Sequence, residues 1–207
     1  MGGIIGATSG KFVIAAAMLM LHGRIDNHRS LIAIAPGTLQ SSSGPAVRTS
    51  GRLKLAIGTS VLHVAAPPHG SQPDAATRLT IGRDLLDVAP IEIDFRAHEV
   101  RLLSSSAARI KERAMTAIAV SDGPDGALTV PLTIGGAAPM IATLDLASAT
   151  GVSTPGAMVG AVVRLGPVAL PGIVPAGGPD AKVGLLAFAR SVVIFDLANH
   201  LIWVRQR

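Results

Sequence analysis

The stretch from Gly82 to Leu103, GRDLLDVAPIEIDFRAHEVRLL, occurs a second time as Gly184 to Arg205, GLLAFARSVVIFDLANHLIWVR. A shift of 102 residues without a gap superposes Gly82 on Gly184, Asp94 on Asp196 and His98 on His200. Six apolar pairs accompany these identities: Leu86 with Phe188, Ile91 with Val193, Ile93 with Phe195, Phe95 with Leu197, Val100 with Ile202 and Leu102 with Val204. Each copy reads as a glycine, one turn of apolar helix, a strand, an Asp-x-x-x-His turn and a return strand. A period near half the chain predicts two similar lobes, since solenoid repeats are far shorter.

The rest of the composition narrows the class. With 207 residues and 49% hydrophobic content the chain has ample material for a core, but aromatics make up only 2%. That core must be built from Val, Ile, Leu and Ala, which leaves few stacking platforms for bases. The net charge of +5 comes mostly from scattered Arg, and the densest cluster, Arg109-Ile-Lys111-Glu-Arg113, falls in a connecting segment. Nucleic-acid binding needs a concentrated basic stripe, so it is not expected here. Zero Cys excludes disulfides, thiolate nucleophiles and Cys-ligated metal, and leaves the compartment open. No cofactor is indicated.

The run Phe12 to Leu21, FVIAAAMLML, follows Lys11 and is too short to span a bilayer, so no integral membrane span is expected. It has two readings. One is the apolar part of a signal segment, which would make the protein exported, to the periplasm or beyond the cell. The other is a buried strand, turning at His22-Gly23 and continuing into Leu31 to Ile34. The second half repeats that plan: Ala117 to Val120, a turn at Asp122-Gly-Pro-Asp-Gly126, strand Leu128 to Ile134, a Gly135-Gly136 turn, then Met140 to Leu144. Matching Leu21 to Ile134 sets Ile32 on Asp145. On that register the first half carries 11 extra residues, assigned to the Ser41 to Pro45 and Pro67 to Pro73 loops. Residues 104–113 read as the connection between a first lobe, 1–103, and a second, 114–207. Helix signals are few: after Gly82, after Gly184, over Ser153 to Val159, and in part of the connection. The class is mainly β.

Thr80-Ile-Gly-Arg-Asp-Leu-Leu86 followed by Ile91-Glu-Ile-Asp-Phe95 resembles the closing segment of the retropepsin-like aspartic peptidases, in which an I-G-x-x-x-L helix and an apolar strand pack beneath a catalytic loop. That family places a strand ending in a D-T/S-G loop upstream in each lobe. Ala142-Thr-Leu-Asp145-Leu-Ala-Ser148-Ala-Thr150 sits where this loop belongs in the second half, and Leu31-Ile-Ala-Ile-Ala-Pro-Gly-Thr-Leu39 in the first. The ending Ala35-Pro-Gly-Thr38 is itself similar to the residues found after the family's aspartate. The resemblance implies two β-barrel-like lobes about a pseudo-twofold axis, each with one short helix, and a pair of facing aspartates.

Such a pair needs two carboxylates about 3 Å apart sharing one proton, one acting as base on a water and the other as acid toward the peptide carbonyl. The glycine of D-T/S-G allows a tight turn, and its hydroxyl neighbour hydrogen-bonds across the lobe interface. On the register above, Ile32 takes the first-lobe aspartate position, while the second lobe keeps Asp145 with Leu146 for the hydroxyl and Ala147 for the glycine. The expectation is a degenerate peptidase with Asp145 as the surviving catalytic acid and no partner. Two alternatives for that partner are Asp26, read as a turn residue, and Asp145 of a second chain. Asp94 and Asp196 read as turn carboxylates that satisfy backbone N–H groups, with His98 and His200 exposed beside them. The 39 residues from Asp145 to Gly184 predict a second lobe with a trimmed flap.

Other motifs carry nothing. Gly2 to Lys11 lacks the spacing and the Ser/Thr of a phosphate loop. His22/His28 and His63/His69 are six apart, which is no helix-face ligand spacing. No Gly-x-Ser-x-Gly elbow is present. Three functional readings remain: a degenerate peptidase homologue whose inter-lobe cleft takes an extended peptide or protein segment, a working aspartic endopeptidase with an unrecognised second acid, and a β-rich binding or assembly module. Substrate, partner and oligomeric state are not encoded in any motif.

Overall fold

Short runs of branched residues between Gly, Pro and Asn become strands along the whole chain. The computed structural model describes residues 10–15, 18–35, 38–47, 50–58, 60–72, 75–123, 126–146, 150–156 and 161–206. The first half holds β1 (Gly10–Ala15), β2 (Met18–Ile25), β3 (His28–Ile34), β4 (Ser42–Ser43), β5 (Arg52–Ile57), β6 (Ser60–Ala65), β7 (Thr77–Ile81), α1 (Arg83–Leu86), β8 (Ile91–Asp94) and β9 (Glu99–Leu102). Helix α2 (Ser105–Glu112) comes next, capped by the Ser104 hydroxyl, which accepts from the Ala107 N–H. The second half holds β10 (Thr116–Ala119), β11 (Ser121–Asp122), β12 (Leu128–Ile134), β13 (Met140–Asp145), β14 (Val152–Thr154), β15 (Val163–Leu165), β16 (Val168–Leu170), β17 (Ala176–Gly177), β18 (Lys182–Gly184), β19 (Ser191–Asp196) and β20 (Leu201–Gln206). A 3-10 turn, Leu185–Phe188, stands where α1 stands in the first half.

The duplicated segment builds the middle of the molecule. Strands β10-β20-β19-β8-β9-β1 form one antiparallel ribbon, to which both halves contribute three strands. At its centre Ile91 pairs with Phe195 and Ile93 with Val193. The 102-residue shift exchanges these two pairs and maps Glu92↔Ile194 onto itself, so a pseudo-twofold axis passes through that pair. The symmetry extends outward: Phe12 N–H donates to the His98 carbonyl at 3.0 Å, and Val120 N–H to the His200 carbonyl at 2.9 Å. His98 and His200 both turn at φ 54°. The fold is two similar β lobes about this axis, as the repeat predicts.

Each lobe adds its own sheet. In the first, β2, β3 and β7 carry β4 and the β5–β6 hairpin, and in the second, β12, β13 and β18 carry β14, β17 and the β15–β16 hairpin. The alternation of β5, with Leu53, Leu55 and Ile57 buried, and of β12, with Leu128, Val130, Leu132 and Ile134 buried, fills the interior of the two lobes. Every residue of β8 and β19 is buried: Ile91, Ile93, Val193 and Phe195 belong to the main core, and α2 covers Ile194 through Ala108 and Leu103.

Four expectations need correction. The first hairpin turns at Asp26-Asn27, whose φ values of 47° and 71° make the tight two-residue turn, and not at His22-Gly23. Gly23 lies inside β2 because β5 crosses there: a Cβ would meet Ile32 Cδ1 at 2.5 Å and the Ala56 carbonyl at 2.6 Å. Phe12 to Leu21 is not one strand but parts of β1 and β2, paired Phe12 to Leu21; Ala16 and Ala17 lie outside the described residues. Ser153 begins no helix, since Val152–Thr154 is a strand held by β18 and β17. The register of β3 moves as well, with consequences for the site. Among the described residues no helix is long and apolar enough to cross a membrane.

Candidate functional site

Two parallel strand pairs place the two loops of interest. In the second lobe β13 runs beside β18, with Leu144 opposite Val183 and Asp145 opposite Gly184. In the first, β3 runs beside β7, with Ile34 opposite Ile81, and Ala35 N–H donates to the Ile81 carbonyl at 2.9 Å. The next residues are therefore Ala35 and Gly82. Gly82 and Gly184 are themselves equivalent, with φ of −96° and −98°. Ala35 is thus the counterpart of Asp145, and Ile32 is not. Ile32 lies three residues earlier, fully buried in β3 against β2 and β7.

This register gives the first lobe eight extra residues rather than 11, the difference between offsets of 110 at Ala35/Asp145 and 102 at Ile81/Val183. Ser43 bridges His69 as Thr154 bridges Gly177, an offset of 108 at His69, so six of the extra residues fall between His69 and Ile81. The paired hairpins differ too: β5–β6 pairs six residues and β15–β16 three, so the second lobe is the shorter one in this region.

The loop after β3 now reads Ala35-Pro36-Gly37-Thr38 and the loop after β13 Asp145-Leu146-Ala147-Ser148. Against D-T/S-G, the first keeps the glycine and loses the acid, and the second does the reverse. Pro36, Gly37, Ala147 and Ser148 lie outside the described residues. Thr38 closes its turn with both its N–H and its hydroxyl donating to the Ala35 carbonyl at 2.9 Å. Asp145 is half-buried and Leu146 fully buried. Among the described residues no hydrogen bond or ion pair reaches the Asp145 carboxylate.

The loop bases differ in polarity. Ser41 donates its N–H and its hydroxyl to Asp84 Oδ1 at 2.8 and 2.6 Å, and its Oγ accepts from the Gly82 N–H at 2.8 Å. Val152 and Leu186 stand at the corresponding places, where Gly184 N–H donates instead to the Gly151 carbonyl at 2.7 Å. Arg83, next to Gly82, crosses to the other lobe, donating to the Gly126 carbonyl at 2.8 Å and to Asp122 Oδ1 at 3.0 Å. Sequence reading missed this bridge, for which no local signal exists.

The other acids fall outside this arrangement. Asp26 occupies its turn, and its Oδ1 accepts from the Lys54 N–H at 2.9 Å. Asp94 Oδ1 accepts from the Ala97 N–H at 3.0 Å, as a turn carboxylate should. Asp196 instead accepts from the Asn199 side-chain amide at 2.7 Å. His98 and His200 are exposed.

No protein-family model matches the chain, and no curated protein matches it. Among solved structures, basic 7S globulin from soybean is similar with a TM-score of 0.60, over 95% of this chain and 93% of that one, at 8% identity. That protein has the pepsin-like aspartic protease fold. Here, too, the fold is pepsin-like. An identity this low speaks for the fold alone.

Proposed function

We propose that this chain is a retropepsin-like aspartic peptidase homologue without peptidase activity, its lobes 1–103 and 114–207 joined by 104–113, whose inter-lobe cleft holds an extended peptide or protein segment. The observation that carries the first part is Ala35 at the place that mirrors Asp145. A methyl group neither accepts nor gives a proton, so Ala35 offers Asp145 nothing with which to share one. Proline at the next position also removes the hydroxyl that would brace the loop. Each missing general acid or base step forfeits roughly 10²- to 10⁴-fold in rate. The peptide-binding part is supported by the architecture: the two loops end parallel strand pairs related by the pseudo-twofold, an arrangement suited to a groove between lobes.

Incubating the purified chain with casein and a mixed peptide library from pH 3 to 7 tests the first part. No cleavage above a buffer control is expected; turnover that disappears in Asp145→Asn would overturn the reading. Pull-down of library peptides identified by mass spectrometry tests the second, and a set that binds Asp145→Lys as well as the parent chain counts against the cleft.

A further inference from the structure

The Asp-x-x-x-His turns are duplicated, but their surroundings are not. Helix α2 occurs once, and it roofs only the second of the two turns. Beneath it lies a cavity of about 610 Å³ between the end of α1, the face of α2 and the Asp196 turn, so that both lobes and their connection contribute to its wall.

Several polar groups line it. Asp196 is only 7% exposed, and one of its oxygens, Oδ2, is taken by Asn199. Among the described residues Oδ1 has no hydrogen-bond partner. Glu112 of α2 and Trp203 of β20 line the same cavity, and the buried Nε1 of Trp203 has no acceptor among the described residues. Asp87 adds a third carboxylate and Arg109 a single positive charge, which leaves the lining net negative by two. Val88, Pro90 and Leu201 supply the apolar wall. Burial first, and Asp196 second, push the Glu112 carboxyl above the usual carboxylate range, with Arg109 pulling partly the other way. Two carboxyls that feel each other's charge in a concave site, as Glu112 and Asp196 do, are what a cationic guest relieves.

We propose that this cavity binds an organic ammonium ion, its charged head against Asp196 and Glu112 and over the Trp203 ring, its apolar body along Val88, Pro90 and Leu201. The indole face attracts cations most strongly of the aromatic rings. The apolar wall selects an amine with a hydrocarbon body over a bare inorganic cation, and no group of three His, Asp or Glu suited to a metal occurs among the described residues. The site is separate from the Ala35 and Asp145 loops and does not depend on the function proposed for them.

Trp203 is the only tryptophan in the chain, so its emission reports from the cavity itself. Titration of the full chain with hexylammonium chloride at pH 7, against potassium chloride at equal ionic strength, should change that emission saturably. Sodium hexanoate and 1-hexanol, which share the hydrocarbon but not the charge, should not. Asp196→Asn keeps the Asn199 contact and should weaken binding about tenfold or more, Glu112→Gln several-fold, and Arg109→Gln should tighten it. If Asp196→Asn fails to fold, Glu112→Gln and Arg109→Gln, both at half-exposed or exposed positions, decide. No saturable response to hexylammonium, an equal response to hexanoate or hexanol, or unchanged affinity in Glu112→Gln and Arg109→Gln overturns the proposal. A lysine-containing peptide that binds where hexylammonium does not would equally overturn it, since the recognised body would then be the peptide.

Discussion

Glu92 and Ile194 face each other across the β8–β19 ladder at the point where the two lobes exchange places, and Glu92 is a carboxylate with a side chain only 2% exposed. Its charge is met by Arg101 at 2.5 Å on the neighbouring strand and by Lys111 at 2.5 Å on α2. Arg101 also pairs with Glu99, which Lys11 joins at 2.8 Å. A residue at the symmetry centre therefore ties the helix that connects the lobes to the ribbon that joins them. Glu92→Gln should cost about 1–3 kcal/mol, because two cations lose a desolvated partner. Lys111→Met leaves Arg101 in place and should cost less. Urea denaturation measures both; a neutral Glu92→Gln would show the network to be incidental.

Gly82 has no room for a side chain. A Cβ there would lie 2.6 Å from the Gln40 carbonyl carbon and 2.9 Å from the Ser41 nitrogen, both backbone atoms that cannot swing aside. Gly82→Ala should destabilise by about 1–3 kcal/mol through overpacking. Gly151→Ala, where nothing stands within 4 Å, should stay within about 0.5 kcal/mol. Equal losses at the two sites would argue against a close approach at Gly82.

The equivalence of Ala35 and Asp145 predicts a proximity effect. Ala35→Asp puts a second carboxylate opposite the first, and two that share a site cannot both ionise freely. The folded state would then hold a proton that the unfolded chain releases, so this variant should lose stability, relative to the parent, as pH rises above about 4. Adding Asp145→Asn should abolish the pH-dependent part. Thermal melts of the single and double variants at pH 4 and 7 are sufficient, and a loss that persists in the double variant would mean the two positions do not meet.

Glu112 supplies a second pH test. With its proton affinity raised by burial and by Asp196, and with Asp87 and Arg109 on the same cavity wall, the folded state binds a proton where the unfolded chain has lost it. Stability from this group is intact below the ordinary glutamate value of about 4.3 and declines as pH rises through the higher folded value. Glu112→Gln removes the decline, so its stability relative to wild type should improve between pH 4 and 7. A constant difference between the two proteins over that range would contradict the assignment.

Much of the architecture was legible because the duplication is written in apolar residues. Gly82 and Gly184, the turns ending at His98 and His200, and the strands between them follow from composition and period alone, and the second-lobe hairpin at Gly135-Gly136 follows from its glycines. The first-lobe register was not legible. A β strand repeats every two residues, so Leu31 to Ala35 looks equally apolar whichever residue ends it. The true turn, Asp26-Asn27, carries no glycine, while Gly23 sits in mid-strand and imitates one.

What the sequence determined by itself is that a single β unit is used twice and that one of its copies ends in an acid. That Ala35 rather than Ile32 stands opposite Asp145 was decided by the parallel pairing of β3 with β7, strands separated by the whole β4 to β6 excursion. Contacts of that range are set when the barrel closes, and the chemistry of a two-lobed site is read only from which residues then share the end of a strand.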